Sequence, residues 1–97
     1  MMTNLSFDDV RQTLEKGATL LDVRKVDEFN RGALPNAKNI PLAILPVLAH
    51  EYLDREDKVL IYCHAGGRAM MAEKILASLG FSDITSIGGI SYYQHCQ

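Results

Sequence analysis

Cys63 and Arg68 are separated by four residues, His64-Ala65-Gly66-Gly67, and the run Lys58-Val59-Leu60-Ile61-Tyr62 leads directly into the cysteine. A thiol followed by a small, nearly uncharged loop and then a cation suits sulfur chemistry on an anionic ligand. The apolar run reads as a buried strand that fixes the sulfur. The loop turns backbone N–H groups toward it, and a helix beginning near Arg68 adds positive potential from its N-terminus. Cysteines in such settings ionise more readily than free ones, and the thiolate is the nucleophile. Gly66 and Gly67 let backbone come close to a ligand. A buried packing role for Cys63 is the plain alternative, but its place at the carboxyl end of a strand, where ligand crevices of open α/β sheets lie, argues against it.

The neighbours of Cys63 carry weaker signals. Arg68 in the first turn of a helix is mildly unfavourable for the dipole, a cost that a bound anion would offset. His64 reads either as a proton carrier or as a solvent-exposed side chain. Cys96 reads as an incidental thiol near the end, or as a resolving cysteine if its Cα lies within about 7 Å of that of Cys63. His50 and His95 lack matched partners and read as surface residues. Met70 and Met71 read as packing residues.

The elements that must position this loop follow from the apolar pattern. Ser6 is a good N-cap for a first helix, with Asp8 and Asp9 in its first turn and Leu5 and Val10 at the spacing of a hydrophobic staple. Phe7, Val10 and Leu14 share one face of it. Thr19–Arg24 reads as a strand covered on both sides, and Val26–Arg31 as a two-turn helix with Phe29 inward. Leu34–Ala37 is a turn before a very short strand at Asn39-Ile40. A helix from about Leu45 to Leu53 carries Pro46 in its first turn, and Asp54–Asp57 is a solvated connector. Val59–Tyr62 is the candidate central strand. Met71, Ala72, Ile75, Leu76 and Leu79 form the apolar face of the next helix. Ile84–Ile87 is a last strand, and Gly88-Gly89 a turn into a helix through Tyr93. Strands alternating with helices predict a parallel sheet with helices on both faces.

Composition narrows the function. Ninety-seven residues, 47% hydrophobic and 23% charged, suit one domain spanning 1–97 with a real core. A net charge of −2 gives no basic surface for nucleic acid or anionic membrane. No apolar run approaches the ~20 residues of a membrane span. With two cysteines and no short-spaced Cys/His cluster, no structural metal is expected. A cytoplasmic, reducing location is the simplest expectation.

Leu21-Asp22-Val23-Arg24, Glu28-Phe29, Gly32–Ala37, Asn39-Ile40-Pro41, Tyr62-Cys63 through Arg68, and Gly88-Gly89-Ile90 resemble, in order and spacing, the rhodanese-like (sulfurtransferase) domain. The resemblance spans roughly residues 4–96. It implies a three-layer α/β sandwich around a five-stranded parallel sheet, with Cys63 as catalytic residue and His64, Ala65, Gly66, Gly67 and Arg68 as the substrate-binding loop. It further implies a Cys63 persulfide. On that resemblance the thiolate takes the outer sulfur of a donor such as thiosulfate or a persulfide and hands it to cyanide or a thiol, a protein thiol included, without metal or organic cofactor. The N–H groups of residues 64 to 68 would form an anion nest around that sulfur. Asp22 and Arg24 match positions that tie the first strand into the structure.

Many relatives carry His, Gly and Trp where Ala33, Asn36 and Tyr93 stand. A Cys-loop-Arg phosphatase or arsenate reductase would use five residues between Cys and Arg rather than four. A binding or sulfur-relay module is the rival of another class, one that often loses its cysteine; here Cys63 is present.

Overall fold

The computed structural model describes residues 6–94, with the side chain of Gln94 outside that description. Leu5, His95 and Cys96, and with them the staple and the resolving-cysteine expectations, lie outside the described residues. Ser6 caps α1 (Phe7–Glu15), its hydroxyl accepting the Asp9 N–H at 3.1 Å. β1 (Thr19–Asp22), α2 (Val26–Arg31) and β2 (Lys38–Asn39) follow. A 3₁₀ turn at Leu42–Ile44 runs into α3 (Leu45–Tyr52), which has Pro46 in its first turn. Then come β3 (Val59–Cys63), α4 (Gly67–Ser78), β4 (Ile84–Gly89) and α5 (Ile90–Gln94).

The strands lie in the order β2-β1-β3-β4, all parallel. Every residue of β3 is buried, as its uninterrupted apolar run predicts for a strand covered on both faces. Its alternation divides the interior in two. Val59, Ile61 and Cys63 join α3 and α4 through Leu45, Ala49, Ala69, Ala72 and Leu76. Leu60 and Tyr62 face α1 and α5 through Val10 and Tyr93, with Leu34 and Ile87 beside them. Fully burying each such side chain is worth roughly 1.5–3 kcal/mol, so β3 is the best-anchored strand of the sheet. β2 is only two residues long, one residue earlier than its pattern suggests. The ladder is carried past its end by Ile40 N–H donating to the Asp22 carbonyl at 3.0 Å and Leu42 N–H to that of Val23 at 3.1 Å.

Several expectations need correcting. The sheet has four strands among the described residues, not five; the apolar pattern itself marks four, and the fifth came from the resemblance alone. Gly88-Gly89 is not a turn but the end of β4. The register slips so that Ile61 pairs with Ser86 and Tyr62 with Gly88, and Gly88 takes φ +102° at that irregularity. Met71 does not join the core face of α4 but is exposed, as is Met70. Small Ala69 and Ala72 bring that helix close to the sheet and leave the long side chains outside. Phe29 is only half-buried, and α2 buries no side chain completely.

Candidate active site

Cys63 ends the central strand, and its side chain is 1% exposed. It is a free thiol whose Sγ accepts the Gly66 N–H at 2.9 Å. That contact depends on the loop folding back within three residues. Gly66 makes the turn with φ +111°, a backbone region that disfavours a side chain, and serves as the N-cap of α4. The first helical bond runs from Met70 N–H to the Gly66 carbonyl at 3.1 Å. The amides of Gly67, Arg68 and Ala69 therefore have no carbonyl one turn behind them, as in the first turn of any helix. They supply the positive end of the α4 dipole beside the sulfur. Of the loop amides expected to ring the sulfur, Gly66's is the one recorded in hydrogen-bond geometry with Sγ.

The other loop residues divide by exposure. His64, Ala65 and Gly67 are exposed, Gly66 is buried and Arg68 is intermediate. A side chain added at Gly67 would meet nothing within 4 Å, so no protein atom demands glycine there. Gly89 is the reverse case. A Cβ on it would run into the His64 carbonyl and lie 2.9 Å from the Ala65 Cα. The loop rests on the end of β4, beside the Cys63–Gly89 pairing.

Arg68 has a partner that the linear sequence does not advertise. Its Nη1 donates to Glu28 Oε1 at 2.7 Å and its Nη2 to Oε2 at 3.1 Å, a two-pronged pair across 40 residues of chain. Glu28 Oε1 also accepts the Lys25 N–H at 3.1 Å. The Arg68 hydrogen bond, aided by that backbone bond, holds the Glu28 carboxyl down to about 2 against the opposing pull of burial. Arg68 is raised in turn, mainly by Glu28, with a smaller contribution in the same direction from Cys63. Arg68 was expected to hold an external anion; in this structure its guanidinium is held by a carboxylate of the chain itself. Glu28 reads in sequence as an ordinary first-turn acid of α2, and its place in the Glu28-Phe29 pair of the family pattern was the signal available.

Asp22 and Arg24 form a buried pair behind the loop. Arg24 Nη2 and Nε reach Asp22 Oδ2 at 2.8 and 3.0 Å, and Arg24 N–H donates to Oδ1 at 2.8 Å. Burial works against the Arg24 charge, but the hydrogen bond and charge of Asp22 outweigh it and raise its pKa. Arg24 Nη2 also donates to the Gly32 carbonyl at 2.7 Å, and its guanidinium lies 5.7 Å from the Tyr62 ring centre. Tyr62, whose phenol burial pushes upward, accepts the Leu34 N–H at 3.0 Å. These bonds join β1, the segment after α2 and β3 immediately before Cys63. Elsewhere, exposed His50 stacks on Phe81 with ring centres 5.6 Å apart. An apolar cleft of about 410 Å³ between Phe7, Leu14, Pro35 and Tyr93 lies on the α1–α5 face, not the face of Cys63. Among the described residues no three His, Cys, Asp or Glu side chains gather as a metal site, and no helix is long and apolar enough to cross a membrane.

A parallel sheet with a cysteine at the end of its central strand, a short glycine-bearing loop and a helix opening beyond it defines the class. The chain belongs to the rhodanese-like domain family, whose model matches residues 6–96. The human single-domain sulfurtransferase TSTD1 is similar in structure, with a TM-score of 0.84 at 26% identity, covering 97% of this chain and 96% of that one. A relative from Schizosaccharomyces pombe, provisionally named a mitochondrial thiosulfate sulfurtransferase, is 33% identical over 91 residues, covering 81% of this chain and 64% of its own length. The thiosulfate sulfurtransferase PspE of Escherichia coli is 31% identical over 71 residues, 72% of this chain and 68% of that protein. A further curated relative from Bacillus subtilis is spanned over only 45% of its length.

Proposed function

We propose that this protein is a sulfurtransferase that carries one sulfur at a time on Cys63. The observation that carries the reading is the Sγ of Cys63, at the end of the central strand, meeting the Gly66 N–H at 2.9 Å beneath the opening turn of α4. The Cys63 thiolate attacks the outer sulfur of thiosulfate, breaking its sulfur–sulfur bond. Sulfite leaves with the bonding electron pair, and the cysteine becomes a persulfide anion. Cyanide or a thiolate then takes that outer sulfur and returns the Cys63 thiolate, giving thiocyanate or a new persulfide. No net oxidant is needed. An added sulfur sits about 2.05 Å beyond Sγ, which would bring it toward the amides of Gly67 and Arg68 that have no helical acceptor. Asp22 and Arg24 support β1 and β3 rather than react. A reducing compartment, in the simplest case the cytoplasm, suits a free thiol of this kind.

A related reading, a sulfur relay to a protein thiol, is favoured by Met70 and Met71. They stand exposed in the first turns of α4, beside the loop, where flexible thioethers suit a protein partner. Loading the purified protein with thiosulfate, and separately with a low-molecular-weight persulfide, then reading intact mass, tests both. The expected result is a reductant-reversible gain of about 32 Da, one sulfur, that Cys63→Ser never shows. Absence of that gain with every donor would overturn the reading. Loading by persulfide but not by thiosulfate would favour the relay.

A further inference from the structure

Exposed apolar side chains are gathered at one end of this molecule. Among the described residues seven large ones are exposed, and Val26, Ile44, Val47, Met70 and Met71 all lie in segments that leave the carboxyl ends of β1, β2 and β3. Tyr92 follows β4 in the same way. Tyr52 alone stands at the other end of the sheet, where its carbonyl accepts the side chain of Lys38, the first residue of β2, at 3.3 Å. The carboxyl end is also the end that carries Cys63. There the 3₁₀ turn and α3 both pack against α4, and the Glu28–Arg68 pair brings the first turn of α2 to that of α4. Exposed apolar side chains concentrated in this way mark a surface that a partner covers.

The shape and charge of this end say what kind of partner fits. Cys63 is 1% exposed, so a thiol set flush on a folded surface would stop at the rim, short of Sγ. A thiol on a projecting chain segment could pass it. Packed helices such as α3 and α4 lie about 8–10 Å apart, so a small thiol cannot cover the apolar side chains of both while it reacts. Residues 40–47 and 64–71 contain no Asp or Glu. In α2 the acids Asp27 and Glu28 are held by Arg31 and Arg68, whereas exposed Lys25, next to Val26, is in no ion pair among the described residues. The chain as a whole carries a net charge of −2, yet this end presents an unmatched cation.

We infer that the rim formed by Val26, Ile44, Val47, Met70 and Met71 is a docking surface for a polypeptide sulfur acceptor, one that presents its thiol on an extended segment flanked by apolar residues and a carboxylate. This rests on the relay form of the sulfurtransferase reading and names its partner. The docked acceptor's thiolate attacks the outer sulfur of the Cys63 persulfide. A sulfur–sulfur bond forms on the acceptor, the bond to Sγ breaks, and Cys63 leaves as a thiolate. The rim side chains touch no reacting atom; they hold the acceptor over the loop. Apolar burial supplies the hold, and Lys25 supplies orientation, since an exposed ion pair alone is worth little.

Two acetylated peptides serve as probes, the amides of Glu-Leu-Leu-Gly-Gly-Cys and Gln-Ser-Ser-Gly-Gly-Cys, beside N-acetylcysteine amide as a small acceptor. With persulfide-loaded wild type, the half-saturating concentration should be about tenfold lower for the apolar peptide than for the polar one. Val47→Gln and Met71→Gln should each raise it about fivefold for the apolar peptide. Val47 is 77% exposed, so its replacement leaves the core intact, and transfer to N-acetylcysteine amide should stay within about twofold in that variant. Tyr52→Gln, at a position about as exposed as Met71 (55% against 57%), should match wild type throughout. Lys25→Gln should cost about twofold at low salt and nothing at ~1 M, where the Val47 effect persists.

Binding of fluorescein-labelled peptides with serine in place of cysteine needs no sulfur transfer, and anisotropy should give the same order of affinities. If no donor loads Cys63 while that order holds, the transfer reading fails and the docking surface stands. Equal binding of the two peptides by wild type, or a Tyr52→Gln effect as large as that of Val47→Gln, would overturn the inference. So would Val47-dependent dimers in sedimentation equilibrium, which would make a second copy of the chain the occupant.

Discussion

At the scale of single residues, Gly66 and Gly67 look interchangeable in sequence yet answer to different demands. Gly66 sits at φ +111° and delivers its N–H to the sulfur, whereas Gly67 is helical and faces open space. Gly66→Ala should cost about 1–3 kcal/mol through backbone strain and slow sulfur loading, since the turn that aims the amide is disturbed. Gly67→Ala should leave stability unchanged or raise it by about 0.4–1 kcal/mol through the unfolded chain. Urea unfolding of both variants decides whether the two positions separate in this way. The strand-end position of Cys63 and the loop that follows it were legible because a strand, a cysteine, two glycines and a cation follow one another directly. Glu28 was not legible as the partner of Arg68, because a bond across 40 residues leaves no local pattern.

At the scale of elements, the loop is a bridge between β3 and α4 that leans on a third element, β4. Replacing Gly89 with alanine would push a Cβ into the His64 carbonyl, which is backbone and cannot swing away as a side chain could. Gly89→Ala should therefore cost about 1–3 kcal/mol, as overpacking generally does. It should reduce the rate of Cys63 alkylation and sulfur loading beyond what that loss of stability explains. Full activity in a well-folded variant would show that the loop does not depend on this contact.

Elements with a strong period were readable from the chain: α1 from its cap and apolar spacing, β3 from its unbroken run, α3 from Pro46 in its first turn. The ends of β4 were not, because paired glycines signal a turn locally. Only the pairing with Tyr62 and Cys63 extends that strand through them. Met71 misled for a similar reason. Helical spacing marks a face but not how closely alanines let that face approach the sheet.

At the scale of the whole molecule, the two apolar interiors hold the sheet, α3 and α4 on one side, and α1 and α5 on the other. α2 is different, since it buries no side chain completely and is tied down by polar contacts. Arg24 reaches the carbonyl of Gly32 at its end, and Glu28 reaches Arg68 on α4. The second tie depends on pH in a definite direction. Glu28 is lowered from 4.5 to about 2 in the folded protein. Its contribution to stability is therefore fully present above pH ~4.5 and is lost as pH falls through about 2. Because both partners are a quarter to a third exposed, solvent screening holds that contribution to about 1 kcal/mol rather than the larger figure the shift alone would suggest. Urea unfolding of wild type and Glu28→Gln between pH 7 and pH 2 should show wild type more stable by this amount down to about pH 5. The difference should then close toward pH 2 as the wild-type carboxylate takes up its proton. Amide protection factors in α2, taken against the intrinsic exchange rate at each pH, should fall over the same range before those in β3 do, because α2 loses its anchor while the buried strand keeps both apolar faces covered. A stability difference that stays constant to pH 2 would mean that Glu28 contributes through its shape and not through its charge.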